Sequence, residues 1–522
     1  LQRNFFLSGG SRELRSEILL VLFFREGEMR RLFVLAVIWA LVLFLSSFAE
    51  AGDVKTKIAE KVTISGEIRL DAIFQDRESV GIIYNDPGLA PGNPTGSATF
   101  ADPRITLNLD VLLATQVNAF LQLRTPPYLK DDFGAVPQLV DSAGDTTEYP
   151  TRILEVKEAY LLIKEFRWTE LSVCLGIQSI RYDMRGDGNA FFLGIGESES
   201  PFPPAGGNIF PNPVAPATRD FELWTPGRAG TTEAGGIKAT YRKKVEAARY
   251  ELSLDTFFAT ISETRQLDQD QDILGAVFTL WLPEEKEAIG KLSLLVTSFA
   301  YGRTGRIWTY GGGGKFNFTN DFEIYGEAYG QSGKFYDGFD PADPTLPPEL
   351  SNLCTKTGKH DIMQLAFAGY AGGRYTFANN PWRPFLEAAY WWISGDRDNT
   401  DLRQQNFLSY EDVNDSLIIE DGQYGFDIDT NYAAIKCKAG FKPDKDWELS
   451  VLYGNFQRAR GEKNVAKNKL GDEIDFSVKW NFTEVTTFKA RLGFLSDTRY
   501  ITDATEHAKL FTIGQFEAIL QF

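Results

Sequence analysis

The chain has 522 residues, 43% hydrophobic and 24% charged, with 40 Phe, 20 Tyr, 10 Trp, 47 Gly and a formal net charge of −17. No basic patch with interleaved aromatics stands out in this acidic chain, which argues against a nucleic-acid partner. His360 and His507 are its two histidines and lie far apart, and Cys174, Cys354 and Cys437 match no metal-ligand spacing, so composition offers little for histidine or thiolate chemistry.

Met29-Arg30-Arg31, the apolar run Leu32 to Phe48 and the small-residue site Ala49-Glu50-Ala51 predict a signal peptide over 29–51, cleaved after Ala51. The rival reading is an uncleaved anchor. Residues 1–28 are then expected to be an upstream extension, and 52–61 a periplasmic segment. No later stretch has 18 consecutive apolar residues, so no transmembrane helix is expected beyond the signal.

From residue 62 onward the chain shows repeated runs in which one parity is apolar and the other polar or small. Ile105, Leu107, Leu109 and Val111 share one face, opposite Arg104, Thr106, Asn108 and Asp110. Tilted strands with one face on lipid and one on a wet lumen have this pattern. The strands predicted in the first half are 62–75, 101–112, 115–125, 152–164, 169–180, 234–243, 247–260, 269–282 and 290–302. Those in the second half are 307–318, 321–333, 361–377, 383–396, 428–441, 446–458, 470–481, 485–497 and 509–522.

The fold expected for 62–522 is therefore all-β, a transmembrane antiparallel barrel of 18 strands, with 16 or 20 as alternatives. Starting upward from the periplasm puts every short join on the periplasmic side and the long segments 76–100, 126–151, 181–233, 334–360 and 397–427 outside, as bacterial barrels require. Counting the run 219–224 as a strand would invert the later loops. Closure supplies partners for backbone groups that hydrocarbon cannot solvate, and the last strand ends on an aromatic at Phe522, with Phe516, Ala518 and Leu520 on the same parity. Trp281, Trp308, Tyr310, Tyr375, Trp382, Trp391, Trp392, Trp447 and Trp480 gather near strand ends, and some of them are expected in the two interfacial girdles.

Leu175-Gly176-Ile177-Gln178-Ser179-Ile180-Arg181-Tyr182-Asp183-Met184-Arg185, the stretch Arg383 to Asp396 and the run Glu155 to Leu161 together resemble the alginate-export family of outer-membrane proteins. That resemblance implies an 18-stranded monomeric barrel through which an anionic polysaccharide passes, with a path lined by arginines and acidic partners. It also implies placement of Tyr182 and Arg185 near the channel. Where the family motif has Gly-Arg-Gln, this chain has Gly176-Ile177-Gln178, and alternation turns Ile177 toward lipid with Leu171, Val173 and Leu175.

A channel works through width, charge and weak sites rather than covalent chemistry. The candidate lining residues are Arg69, Asp71, Arg104, Asp110, Arg124, Arg185, Arg383, Glu387, Lys489 and Arg491. Arginine forks suit carboxylates, and nearby acids prevent excessive retention. The same residues serve equally as Arg–acid braces of a wide wall.

Segment 181–233, with Pro201-Phe202-Pro203-Pro204, Gly206-Gly207 and Pro211, is long enough either to fold inward or to form an external cover. Acidic runs at Asp268/Asp270/Asp272, Asp396/Asp398/Asp401 and Glu411/Asp412/Asp415 invite calcium, but none has EF-hand spacing, so solvated loops are the preferred reading. No metal or other cofactor is expected. No Gly-x-Ser-x-Gly nucleophile motif is present, and no enzyme is expected.

Three functions stand at this point: passive export of an anionic polysaccharide such as alginate, a porin for small nutrients or ions, and a non-conducting structural or adhesion barrel. The expected location is the outer membrane of a Gram-negative bacterium. The expected partners are outer-membrane lipid, lipopolysaccharide and the outer-membrane assembly machinery. Export adds the polysaccharide and periplasmic synthesis proteins, with the barrel a monomer.

Overall fold

The two-residue alternation is realised as eighteen strands that close into one ring. They are β1 (Val62–Asp76), β2 (Ser97–Ala114), β3 (Val117–Arg124), β4 (Glu155–Ile163), β5 (Leu171–Gln178) and β6 (Ala234–Val245). Next come β7 (Tyr250–Ser262), β8 (Gln271–Trp281), β9 (Gly290–Tyr301), β10 (Gly305–Asn317), β11 (Phe322–Tyr336) and β12 (Ile362–Thr376). The ring is completed by β13 (Phe385–Ile393), β14 (Tyr432–Phe441), β15 (Trp447–Arg458), β16 (Lys469–Asn481), β17 (Thr486–Ser496) and β18 (Phe511–Gln521).

The structure is a computed structural model describing residues 62–76, 97–125, 138–140, 146–148, 155–184, 191–195, 234–245, 250–262, 271–282, 290–301, 305–336, 361–395, 403–409, 415–420, 431–459, 469–496 and 510–522. The expectations for 1–28, 29–51, 52–61 and the run 219–224 lie outside the described residues, as do Arg185 and the proline-rich stretch.

Successive strands pair antiparallel around the ring, and β18 returns to β1 in a ladder from Glu67↔Gln521 to Asp76↔Thr512. Beyond that ladder the Gly66 N–H donates to the Phe522 carbonyl at 2.9 Å, and the Phe522 N–H to the Gly66 carbonyl at 3.1 Å. No edge remains. In hydrocarbon each unpaired backbone group costs several kcal/mol, so closure is what permits the sheet to span.

The outward face is apolar: Leu70, Phe74, Phe258, Leu274, Phe367 and Phe476 are all exposed. The alternate positions on the same strands are buried or polar, among them Asp71, Ile73, Phe257, Ile273 and Glu473. This inside-out distribution is that of a transmembrane barrel of the outer-membrane type. Near the periplasmic ends, Trp447 and Trp480 stack at 5.0 Å between ring centres, and Trp480 also meets Phe482 at 4.9 Å and Phe488 at 5.7 Å. Trp308, Tyr310, Tyr375 and Trp382 are likewise exposed. Trp391 is not a girdle residue: it is 4% exposed and faces inward, because its parity is that of Glu387.

Local turn chemistry fixes the periplasmic joins. The Thr319 hydroxyl accepts from the Asp321 and Phe322 N–H groups at 3.2 and 3.0 Å, and Asp444 Oδ1 accepts from Asp446 and Trp447 at 2.8 and 3.0 Å. Short polar side chains that bond their own backbone stabilise turns in this way.

The chain divides into two compact units: the barrel, Val62–Pro127 with Ile153–Phe522, and a second unit made of Leu1–Lys61 and Tyr128–Arg152. The described part of that second unit is a small antiparallel pair, Gln138–Val140 with Thr146–Glu148.

Candidate functional site

Inward-facing charges on β17, β18, β1 and β2 meet in one cluster, because the register puts Asp71 opposite Glu517, Lys489 opposite Glu517 and Arg69 opposite Arg104. Arg69 Nε lies 2.9 Å from Asp71 Oδ2, and Arg104 Nη2 lies 3.8 Å from the same oxygen. Glu517 is held by Lys489 Nζ at 3.1 Å, by Arg491 Nη2 at 3.1 Å and more distantly by Arg69 Nη2 at 3.7 Å.

Exposure separates the roles. The Asp71 and Glu517 side chains are 0% and 2% exposed, whereas the four cations are between 11% (Arg104) and 34% (Lys489) exposed. The carboxylates sit back against the wall and fix the cations, which are the more accessible members of the cluster.

The neighbouring strands continue this polar wall with amides, Asp110 and Arg124. Gln122 Nε2 donates to Asn108 Oδ1 at 2.7 Å, and Asn118 Nδ2 donates to Asp110 Oδ1 at 3.0 Å. Arg124 is half-buried on the inward parity of β3, beside Thr106 in the register.

Two external segments fold into the barrel against other strands. Ile180, Met184, Phe191, Phe192 and Leu193 are buried. Phe191 packs on the inward rings of Tyr370 at 5.1 Å and Trp391 at 5.4 Å, Phe192 on Tyr329 at 5.1 Å, and Tyr182 on Phe257 at 6.0 Å. Lys291 of β9 donates to the Asp183 carbonyl. Inward folding, one of the two readings of 181–233, is thus what its described residues do.

The second segment, within 397–427, was expected to be a solvated loop, and there the structure differs. Gln331 clamps Leu408 at both ends: its Nε2 donates to the Leu408 carbonyl at 2.7 Å, and its Oε1 accepts from the Leu408 N–H at 2.9 Å. Further along, the Leu417 N–H donates to Asp475 Oδ2 at 2.9 Å, while the Ile418 and Ile419 N–H groups donate to the two oxygens of Glu473 at 2.6 and 2.9 Å. These wall carboxylates replace the water that the loop backbone gave up on entering.

Glu420 closes the arrangement. It pairs with Lys436 at 2.6 Å, accepts from Tyr432 Oη at 2.7 Å, and both partners of the ion pair are buried. Burial pushes the Glu420 carboxyl above its usual range, against the pull of Lys436. The Lys436 ammonium also lies 4.0 Å from the Trp391 ring centre, a cation–π contact. The two segments touch one another, since the Ser409 hydroxyl donates to the Phe191 carbonyl at 3.1 Å.

Of the sequence candidates, Arg69, Asp71, Arg104, Lys489 and Arg491 therefore come together. Glu387 lies apart from them, accepting from the Tyr325 hydroxyl and facing Arg374 at 3.9 Å. Arg383 belongs to no strand: β13 starts at Phe385, and Arg383 is exposed in the preceding turn with φ 42°. Sequence reasoning passed over Glu517, although its parity with Gln515 and Ile513 places it inward. It also passed over Glu473, Asp475 and Lys436.

Among the described residues no group of three His, Cys, Asp or Glu could hold a metal ion. Of the acidic runs nominated for calcium, only Asp272 and Asp415 are described, and Asp415 faces Lys436 at 3.4 Å.

No family model and no curated protein matches the sequence. Solved structures with a similar course include OccK9 (OpdG) of Pseudomonas aeruginosa, at 12% identity and TM-score 0.47, covering 89% of this chain and 100% of that one. The outer membrane protein opdK of the same organism matches at 9% identity and TM-score 0.43, covering 89% and 99%. The outer membrane channel DcaP of Acinetobacter baumannii matches at 11% and 0.38, covering 88% and 97%. These are likenesses of fold.

Proposed function

We propose that the chain is a selective outer-membrane channel for small anionic solutes. The observation that carries this reading is the partition of the inward cluster: its two carboxylates are buried behind four cations that stay partly accessible. A wall built only for bracing has no need to set its acids back and its cations forward, whereas a path that favours anions does. The two inward segments support a restricted path, because their aromatic and amide contacts fill space inside the wall, against Tyr370 and Trp391 at one place and Gln331 at another.

Export of an anionic polysaccharide, implied by the alginate-export resemblance, would use the same cations but needs room for a continuous polymer. Refolded protein in planar bilayers separates the two. Small mono- and dicarboxylates are expected to permeate and to compete with chloride, while neutral solutes of equal size have no effect. Exclusion of small carboxylates, with block by uronate oligomers alone, would refute the small-solute reading.

A further inference from the structure

Beside the charged cluster the inner wall carries a buried amide that forms none of its ion pairs. Gln515 of β18 shares its inward parity with Ile513 and Glu517, which are 0% and 1% exposed. The register sets it opposite Ile73 of β1 and Arg491 of β17. Gln515 is itself 4% exposed. Among the described residues neither its Nε2 nor its Oε1 has a hydrogen-bond partner, and the same holds for Arg491 Nε. Buried polar groups without partners are few in folded proteins, and each stays at a cost that an apolar side chain of the same shape would avoid. Three such atoms on two facing residues point to a partner from outside the wall.

The position of the pair favours a solute from the path. Directly opposed side chains have Cβ atoms roughly 5 Å apart, so the amide and the Nε edge of the guanidinium border one small space. The other edge of the guanidinium is taken, since Arg491 Nη2 lies 3.1 Å from Glu517 Oε1. The Arg491 side chain is 29% exposed and therefore links the buried amide to the interior. The next inward residue along β17 is Gly493, which faces Ile513 on one side and Asp475 on the other. A Cβ there would lie 2.6 Å from Asp475 Oδ1 and 3.2 Å from Ile418 Cδ1, so the docked segment comes down one inward position away from the pair. Gln515 thus stands where the cationic cluster meets that segment.

The unpartnered atoms define what fits. The N–H groups of Arg491 Nε and Gln515 Nε2 donate and suit an anionic oxygen, whereas Gln515 Oε1 accepts and needs a hydrogen donor. A carboxylate with a hydroxyl on the neighbouring carbon supplies both in one small group, and its charge is the one that the inward cations attract. Chloride brings no donor, and a plain carboxylate leaves Oε1 unanswered. An ammonium group in place of the hydroxyl would donate as well, but it would set a positive charge beside Arg491 and Lys489.

We propose that Gln515, together with the Nε edge of Arg491, is a specificity-determining subsite of the path for 2-hydroxycarboxylates. The inference rests on the small-anion reading of the cluster and adds a preference that charge alone does not give. A site that hydrogen-bonds a hydroxyl discriminates against the analogue lacking it, because the polar atoms of the wall are then left without partners.

The test is competition with chloride current through the refolded barrel in planar bilayers, using lactate and propanoate, anions of equal charge and carbon skeleton that differ by a single hydroxyl. The wild type is expected to be half-blocked by lactate at a concentration about fivefold lower than by propanoate, the worth of one net hydrogen bond. Q515M keeps the length of the side chain, removes both polar atoms and is expected to bring the two concentrations together. R491K keeps the charge, loses the Nε edge and is expected to narrow the difference, so it carries the test should Q515M not fold. Equal half-blocking concentrations in the wild type would overturn the inference while leaving the anion preference, read from reversal potentials in the same bilayers, standing. An undiminished difference in Q515M or R491K would also overturn it, by leaving the amide to a trapped water. A wild-type path without preference for anions would refute the reading on which the inference rests.

Discussion

Replacing Arg104 and Arg491 with glutamine isolates the electrostatic role of the inward cluster. The double variant lowers the formal charge of the cluster by two, while Asp71 keeps Arg69 at 2.9 Å and Glu517 keeps Lys489 at 3.1 Å. No buried carboxylate is stripped of its partner, which limits the structural cost. A monovalent ion passing about 6 Å from two unit charges in a water-like dielectric gains or loses about 1.4 kcal/mol. Physiological salt roughly halves that. Anion and cation therefore differ by about 1.3 kcal/mol, close to a tenfold preference that the double variant loses. The assay is the anion-to-cation permeability ratio from reversal potentials in bilayers, with heat-modifiable electrophoretic mobility as the check on folding. A folded variant with an unchanged ratio would refute the reasoning.

Three further outcomes test the inward segments. E473A/D475A leaves the N–H groups of Leu417, Ile418 and Ile419 without their acceptors. At about 1–3 kcal/mol for each buried unsatisfied group the segment is expected to undock, seen as larger and noisier single-channel conductance; wild-type currents would contradict the latch. F192A removes a fully buried ring from the cluster with Tyr329 and Phe407, a loss of about 3–5 kcal/mol in packing. Faster proteolysis at that segment is expected, and unchanged protection would count against it. The third outcome concerns pH. Burial raises the Glu420 carboxyl above its ordinary 4.5 despite facing Lys436, with Asp415 and Tyr432 adjoining, so docking takes up a proton. That contribution is complete below the ordinary value and is lost as pH rises through the raised one. Conductance is expected to increase from acidic to neutral pH, with the Glu420-dependent part absent in E420Q; the opposite slope would contradict the assignment.

The ring was legible because lipid and lumen impose a period of two that survives in single strands, as in Ile105 to Val111 against Arg104 to Asp110. Strand ends were less so. β2 begins at Ser97 rather than 101, and β13 at Phe385 rather than 383, where a left-handed Arg383 and Pro384 delay the ladder. Parity also carried more than was read from it: it puts Trp391 inward with Glu387, and Glu517 inward with Gln515. The inward segments were harder, because what holds them is remote in the chain. Leu417-Ile418-Ile419 is an apolar run in an otherwise acidic loop, which signals a need for cover. Nothing local says that the cover is β16, or that Glu473 and Asp475 are the acceptors.

The claim on which the rest depends is that the partly accessible cations of the inward cluster set the charge preference of an open, water-filled path. The most direct measurement is the sign of the zero-current potential of single wild-type channels under a potassium chloride gradient. The account predicts stepwise conductance with a reversal potential displaced toward that of chloride. A barrel that inserts without conducting, or whose potential is displaced toward potassium, would contradict it.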